Sequence, residues 1–236
     1  MNAMTKRWPA RTTPDSAIFL AGSLLTFAVV YGGVPALSAI GIEPMVAWML
    51  LAIPCIFAPI IAAGLAVLHS EPRPASWVVR LRLQRPTGRD LGWGLLALLT
   101  LVLGSGLMFA LCAALGLESS PPFSRNLQPL TGDRLWVLGL WAVYWPINIL
   151  GEELVWRGVL LPRMEARYGA QAWLLNAILW GLFHLAFGPG NLLVLIPTLM
   201  LVPLIAQRRR STWLAVLLHA GLSGPGFIAL AIGLAP

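Results

Sequence analysis

The chain has 236 residues, of which 58% are hydrophobic and 11% charged, with a net charge of +7. An ordinary soluble domain has about a quarter of its residues charged. A water-soluble fold of this size is excluded, because the polar side chains are too few to cover its surface.

The apolar residues come in runs long enough to cross a hydrocarbon core of about 30 Å as helix. Seven such runs lie near 16–40, 45–68, 92–116, 138–161, 171–187, 190–207 and 212–235. The first follows Lys6, Arg7 and Arg11. It is too long for the apolar part of a signal peptide and reads as a retained span. Pro54, Pro59, Pro146, Pro197 and Pro203 fall inside runs, where they kink helices. Ser223-Gly224-Pro225-Gly226 predicts a break or bend in the last span. No run shows the ten-residue alternation of a β-barrel strand. The largest connections, about 69–90 and 117–134, are too short to fold alone. The expected fold is therefore all-α: a polytopic transmembrane bundle of about seven spans, with a cytoplasmic segment 1–15 and a single helical domain over 16–236.

Basic residues favour the cytoplasmic side of a membrane. With the N-terminus inside, the cytoplasmic segments collect Lys6, Arg7, Arg11, Arg73, Arg80, Arg82, Arg85, Arg89, Arg157, Arg163, Arg167 and Arg208–Arg210. Only Arg125 and Arg134 fall outside. The arginines hug the span ends, so the basic excess reads as topology and contact with anionic lipid rather than nucleic-acid binding. Cys55 and Cys112 lie within apolar runs and suggest neither a disulfide nor a metal pair.

Ionisable groups inside a membrane are expensive, and each is a functional-site candidate. Here they are Glu152, Glu153, His184 and His219, with Arg157 at the same span. Glu153 and Arg157 are four apart with the acid first, the favoured order for a helical ion pair. Glu152 is rotated about 100° from Glu153 and is left to point elsewhere, with the chemistry of a general base. Counted from the predicted cytoplasmic ends, Glu152 lies about 14 Å deep, His184 about 20 Å and His219 about 11 Å. One shared site, accessible from the cytoplasm, is the economical reading.

Glu152-Glu153-Leu-Val-Trp-Arg157, Trp180-Gly-Leu-Phe-His184 and His219-Ala-Gly-Leu-Ser223, in that order within spans, resemble the motifs of the CAAX prenyl protease and bacteriocin-processing (CPBP, or Abi) family of intramembrane endopeptidases. The resemblance covers about 140–225. It departs from the family pattern at Trp180, where Phe is usual, and at Ser223, where Asn is usual. It implies that Glu152, assisted by His184, deprotonates a water for attack on a peptide carbonyl. His219 and Ser223 would then donate hydrogen bonds to the oxyanion, and Glu153 and Arg157 would orient the site. A metal-free mechanism is favoured; were zinc used, Glu152, His184 and His219 would be its donors, although no His-Glu-x-x-His helix is present.

Other intramembrane protease chemistries fail on the sequence. Gly221-Leu-Ser223-Gly224 resembles the rhomboid nucleophile motif, but no histidine follows it, and Asp15, Asp90 and Asp133 all lie outside the spans. The remaining alternative is a non-proteolytic membrane protein, an immunity or scaffold factor or a small transporter, using the buried polar cluster as a binding site. The expected partners are membrane lipid and a peptide or protein substrate. The expected location is a bacterial cytoplasmic membrane.

Overall fold

The structure, a computed structural model, describes residues 15–234, and every regular element among them is helical. Lys6, Arg7, Arg11 and nearly all of segment 1–15 lie outside the described residues. Six helical stretches are long and apolar enough to cross a bilayer: Asp15–Ser38, Pro44–Ser70, Gly88–Ala114, Gly132–Phe187, Pro189–Arg209 and Thr212–Ala231. We number the helices α1 (Asp15–Ser38), α2 (Pro44–Ser70), the single turn α3 (Trp77–Arg80) and α4 (Gly88–Ala114). Then follow α5 (136–168), α6 (Ala172–His184), α7 (Pro189–Arg209) and α8 (Thr212–Ala231).

The difference between seven predicted runs and six crossing helices arises within Gly132–Phe187. Gly169, at φ +59°, terminates α5 in a backbone conformation that favours glycine, and the chain turns back as α6. Asn176 bonds the Trp156 carbonyl at 3.2 Å and Trp180 reaches Glu152 at 2.6 Å, so α6 runs antiparallel to α5. With 13 residues, α6 is about 20 Å long. It is a short return arm that ends at His184 inside the bundle.

Three π-helical stretches interrupt the helices, at Val29–Gly33, Ile53–Phe57 and Leu154–Leu160. Each ends two residues before a proline: Pro35, Pro59 or Pro162. Proline lacks an N–H and its ring clashes with the carbonyl four residues earlier, so the preceding turn widens instead of breaking. For Pro162 that carbonyl is Gly158 O, which accepts from Arg80 Nη1 at 3.1 Å. Of the break or bend predicted in the last span, the break does not occur: Thr212–Ala231 continues as helix through Ser223–Gly226, with Pro225 inside it.

Helix α7 packs against α4, α6 and α8, and α6 packs in turn against α1. On α4, Leu95, Leu99, Leu103 and Leu107 form an i, i+4 stripe that is 55–71% exposed. Such a stripe would be untenable in water and is the expected lipid-facing surface of a bundle.

The two ends of the bundle differ. At the arginine-rich end, Arg163 bonds Asp15 and Glu71, each at 2.8 Å, and Arg80 grips the same Glu71 at 2.9 and 3.0 Å. Arg82 pairs with Glu165 and Arg209 with Asp90. Backbone bonds from Thr212 N to Arg82 O (2.9 Å) and from Thr212 Oγ1 to Leu81 O (2.7 Å) fasten the start of α8 to the connection after α3.

At the other end, the connection 115–131 is tied down over the helix termini. Asn191 Nδ2 donates to Ser119 O at 2.9 Å and Leu130 N to Ala231 O at 2.7 Å. Gly190 permits the approach, since a Cβ there would lie 2.2 Å from Glu118 O. Phe123, carried by this connection, stacks on Trp48 at 4.3 Å and meets the edge of Phe187 at 5.5 Å.

Candidate active site

The polar residues singled out in the sequence converge. Glu152, His184, His219 and Ser223, from α5, α6 and α8, line one cavity of about 240 Å³. Glu152, His184 and His219 are buried, at 2%, 7% and 9% exposure, and Ser223 is half-buried.

Helix spacing and the α5–α6 hairpin together hold Glu152. Asn148 and Trp156, one turn before and after it, donate to Oε1 at 3.0 Å and Oε2 at 3.3 Å. Trp180, across the hairpin, donates its indole N–H to Oε2 at 2.6 Å. The carboxylate is thus oriented by neutral N–H groups.

Glu153 faces another way. Its Oε1 accepts from Arg157 Nη1 at 3.0 Å and meets His219 Nδ1 at 2.9 Å. A carboxylate only accepts, so His219 Nδ1 carries the proton and the other ring nitrogen, Nε2, is left for chemistry. Both Glu153 and Arg157 are fully buried. Arg157 Nε and Nη2 lack hydrogen-bond partners among the described residues, but the guanidinium stacks 3.6 Å from the centre of the Trp180 ring. That cation–π contact offsets part of the desolvation penalty.

His184 is oriented by its own helix. Its Nδ1 donates to the Trp180 carbonyl at 3.0 Å, which leaves Nε2 as the second ring nitrogen. The Trp180 ring packs edge-on against both His184 and His219, at 5.2 and 5.4 Å. Trp180 therefore does more than pack: it bonds Glu152, carries Arg157 and touches both histidines. Ser223, one turn beyond His219, accepts from Trp145 Nε1 at 3.1 Å and keeps its own hydroxyl hydrogen.

Several residues of the site escaped the sequence reading. Asn148 and Trp156 were findable, because i±4 spacing puts them beside Glu152. Tyr144, which lines the cavity and accepts from Trp48 Nε1 at 2.9 Å, and Trp145 depend on contacts 96 and 78 residues apart and carry no local signal.

The cavity extends toward one end of the bundle. The cavity is lined by Met45, Pro121, Phe123, Phe187 and Asn191 as well, all at the end that carries the 115–131 connection. It runs away from the arginine-rich end, where Trp156, Leu160 and Leu161 are fully buried. Depth counting along single spans carries no information about which end is packed shut.

Among the described residues no three His, Cys, Asp or Glu side chains are placed to share a metal ion. Glu152, His184 and His219 do not form the zinc triad that the sequence allowed, and both Glu152 oxygens already face N–H donors. We derive no step through a metal.

No curated protein and no solved structure matches the chain. Residues 134–224 match the family model described as type II CAAX prenyl endopeptidase Rce1-like, and this stretch contains Glu152, Glu153, Arg157, His184, His219 and Ser223. The chain is an integral membrane protein, and its stretch 134–224 is similar to the Rce1-like endopeptidases.

Proposed function

We propose that the chain is an intramembrane endopeptidase that cleaves a membrane-associated substrate, of CAAX type or a peptide precursor, with a water activated by Glu152 and His184. The observation that carries this reading is the convergence of Glu152, His184, His219 and Ser223 on one cavity.

Glu152 is the general base. Its oxygens are fixed by Asn148, Trp156 and Trp180, so its remaining lone pairs have a set direction, the pre-organisation that general-base catalysis needs. The water loses its proton to Glu152 as its oxygen bonds the peptide carbonyl carbon. His184 Nε2 shares that water. The carbonyl oxygen becomes an oxyanion, toward which Ser223 Oγ–H donates, joined by His219 Nε2–H when the ring is doubly protonated. Glu153 holds His219 through Nδ1, and Arg157 holds Glu153. Collapse of the intermediate breaks the C–N bond, and the proton held by Glu152 passes to the leaving amine.

The basic-residue asymmetry places the arginine-rich end in the cytoplasm, in a bacterial cytoplasmic membrane. The substrate then reaches Glu152 from the end that carries the 115–131 connection. This favours a peptide segment presented within or across the bilayer.

The test compares membrane peptidomes of cells carrying the wild-type chain, Glu152→Gln and His184→Ala at matched expression. Both variants are expected to lose the wild-type cleavage products. Identical products from all three would end the protease reading and favour a non-proteolytic binding role.

A further inference from the structure

Helices α2 and α5 leave a furrow on the outer face of the bundle, away from the catalytic cavity. Its upper part, about 360 Å³, is lined only by apolar residues, among them Ile61, Leu65, Ile147, Leu150 and Leu154. Its foot, about 470 Å³, holds His69, Glu71, Arg73 and Trp77, and the two parts share Leu65, Leu68 and Leu81. They form one amphipathic groove. Leu65 and Leu150 on its lips are 50% and 39% exposed, so it lies open to the bilayer.

Charge at the foot is unbalanced. Glu71 is taken by Arg80 and Arg163, and Arg163 also by Asp15. Two acids thus face three arginines, and Arg73, exposed at the groove, has no partner among the described residues. Trp77, Val78 and Val79, 43–60% exposed, form an interfacial turn beside it. Aromatic residues at this level and basic pockets between membrane helices suit lipid headgroups.

We propose that this furrow binds one anionic phospholipid, with an acyl chain along α2 and α5 and its phosphate at Arg73. The floor of the furrow reaches the helix that carries the site. A Cβ on Gly151 would meet the Ile61 side chain at 3.2 Å, and one on Gly64 would meet the Val155 side chain at 3.0 Å, so Ile61 packs on the backbone one residue before Glu152 and Val155 packs on that of Gly64. A seated chain therefore presses on the Gly151–Val159 stretch.

The experiment is native mass spectrometry of the delipidated full chain with phosphatidylglycerol or phosphatidylcholine of identical acyl chains, and it reads binding independently of proteolysis. Wild type is expected to retain a single phosphatidylglycerol roughly fivefold better than phosphatidylcholine, the preference that one interfacial cation confers. Arg73→Gln should lose the preference, and Leu65→Trp, at an exposed lip, should weaken both lipids. Arg125→Gln, at the opposite end, should match wild type. Equal retention of the two lipids by wild type, or an unchanged preference in Arg73→Gln, overturns the proposal. Displacement of phosphatidylglycerol by an isoprenoid alcohol, with Arg73→Gln behaving as wild type, would assign the furrow to a substrate chain and overturn it as well.

Discussion

The arginine-rich end of this bundle and its cavity handle carboxylates in opposite ways. At the arginine-rich end each carboxylate meets a guanidinium: Glu71 with Arg80 and Arg163, Glu165 with Arg82, Asp90 with Arg209. Those pairs satisfy one another and leave little for other chemistry. Around the cavity the stoichiometry is deliberately short of cations. Arg157 serves Glu153, whose same oxygen also takes His219, while Glu152 is held by N–H groups that orient it without neutralising it. On the proposed reading of Glu152 as the base, the bundle orients a reactive carboxylate with neutral donors, where its structural carboxylates receive arginines.

The largest expected effect breaks the reactive side. Glu152→Gln keeps the shape but removes the proposed base, and proteolysis should fall by roughly 10²- to 10⁴-fold in a reconstituted peptide-cleavage assay. The comparison sharpens if the variant melts like wild type. The structural side breaks through Arg157→Met, which leaves Glu153 buried beside His219 alone. Removing one member of a buried pair costs about 3–5 kcal/mol, so thermal unfolding in detergent should show a large loss. The double variant Glu153→Met/Arg157→Met should regain part of it, because no charge is then left alone.

Trp180→Phe tests the neutral-donor idea. The ring that packs on His184 and His219 is kept, but the indole N–H to Glu152 is lost. A hydrogen bond to a charged group is worth about 1.5–3 kcal/mol, so kcat should drop by roughly 10- to 100-fold at a temperature where the variant is still fully folded. A fall in stability alone would make Trp180 a packing residue. Ser223→Ala removes one donor from the proposed oxyanion site, and because His219 remains we expect about a tenfold loss, below the roughly 10²- to 10³-fold typical of such donors.

The smallest effect concerns geometry and leaves activity intact. A cysteine at Ser120, in the connection over the cavity, should react with an impermeant maleimide from outside the cell, and one at Ala75 should not. The reverse pattern would turn the bundle over and put the cavity mouth in the cytoplasm.

Much of the site was legible in the sequence because its parts obey local rules. The i, i+4 spacing announced Glu153–Arg157, and the same rule set Glu152 apart from that pair. Intramembrane cost marked His184 and His219 as unusual. The role of Trp180 was only half legible: its ring could be placed one turn from His184, but its N–H acts on a carboxylate 28 residues away. The π-helical turns were hidden as well, although their cause lay in plain view at Pro35, Pro59 and Pro162. Proline signals disruption, and only the surrounding packing decides whether a helix breaks, kinks or widens.

The sequence by itself determined that the chain crosses a membrane as helices, since apolar run length and sparse charge admit no other solution. It also determined which side chains are too costly to be there without a purpose. Tertiary structure decided the rest: that α6 is a short return arm, that four polar groups share one cavity, that the cavity runs away from the arginines, and that Glu152 is held by N–H donors. Those outcomes depend on which helices lie side by side and at what register, and periodicity within a single helix carries no information about its neighbours.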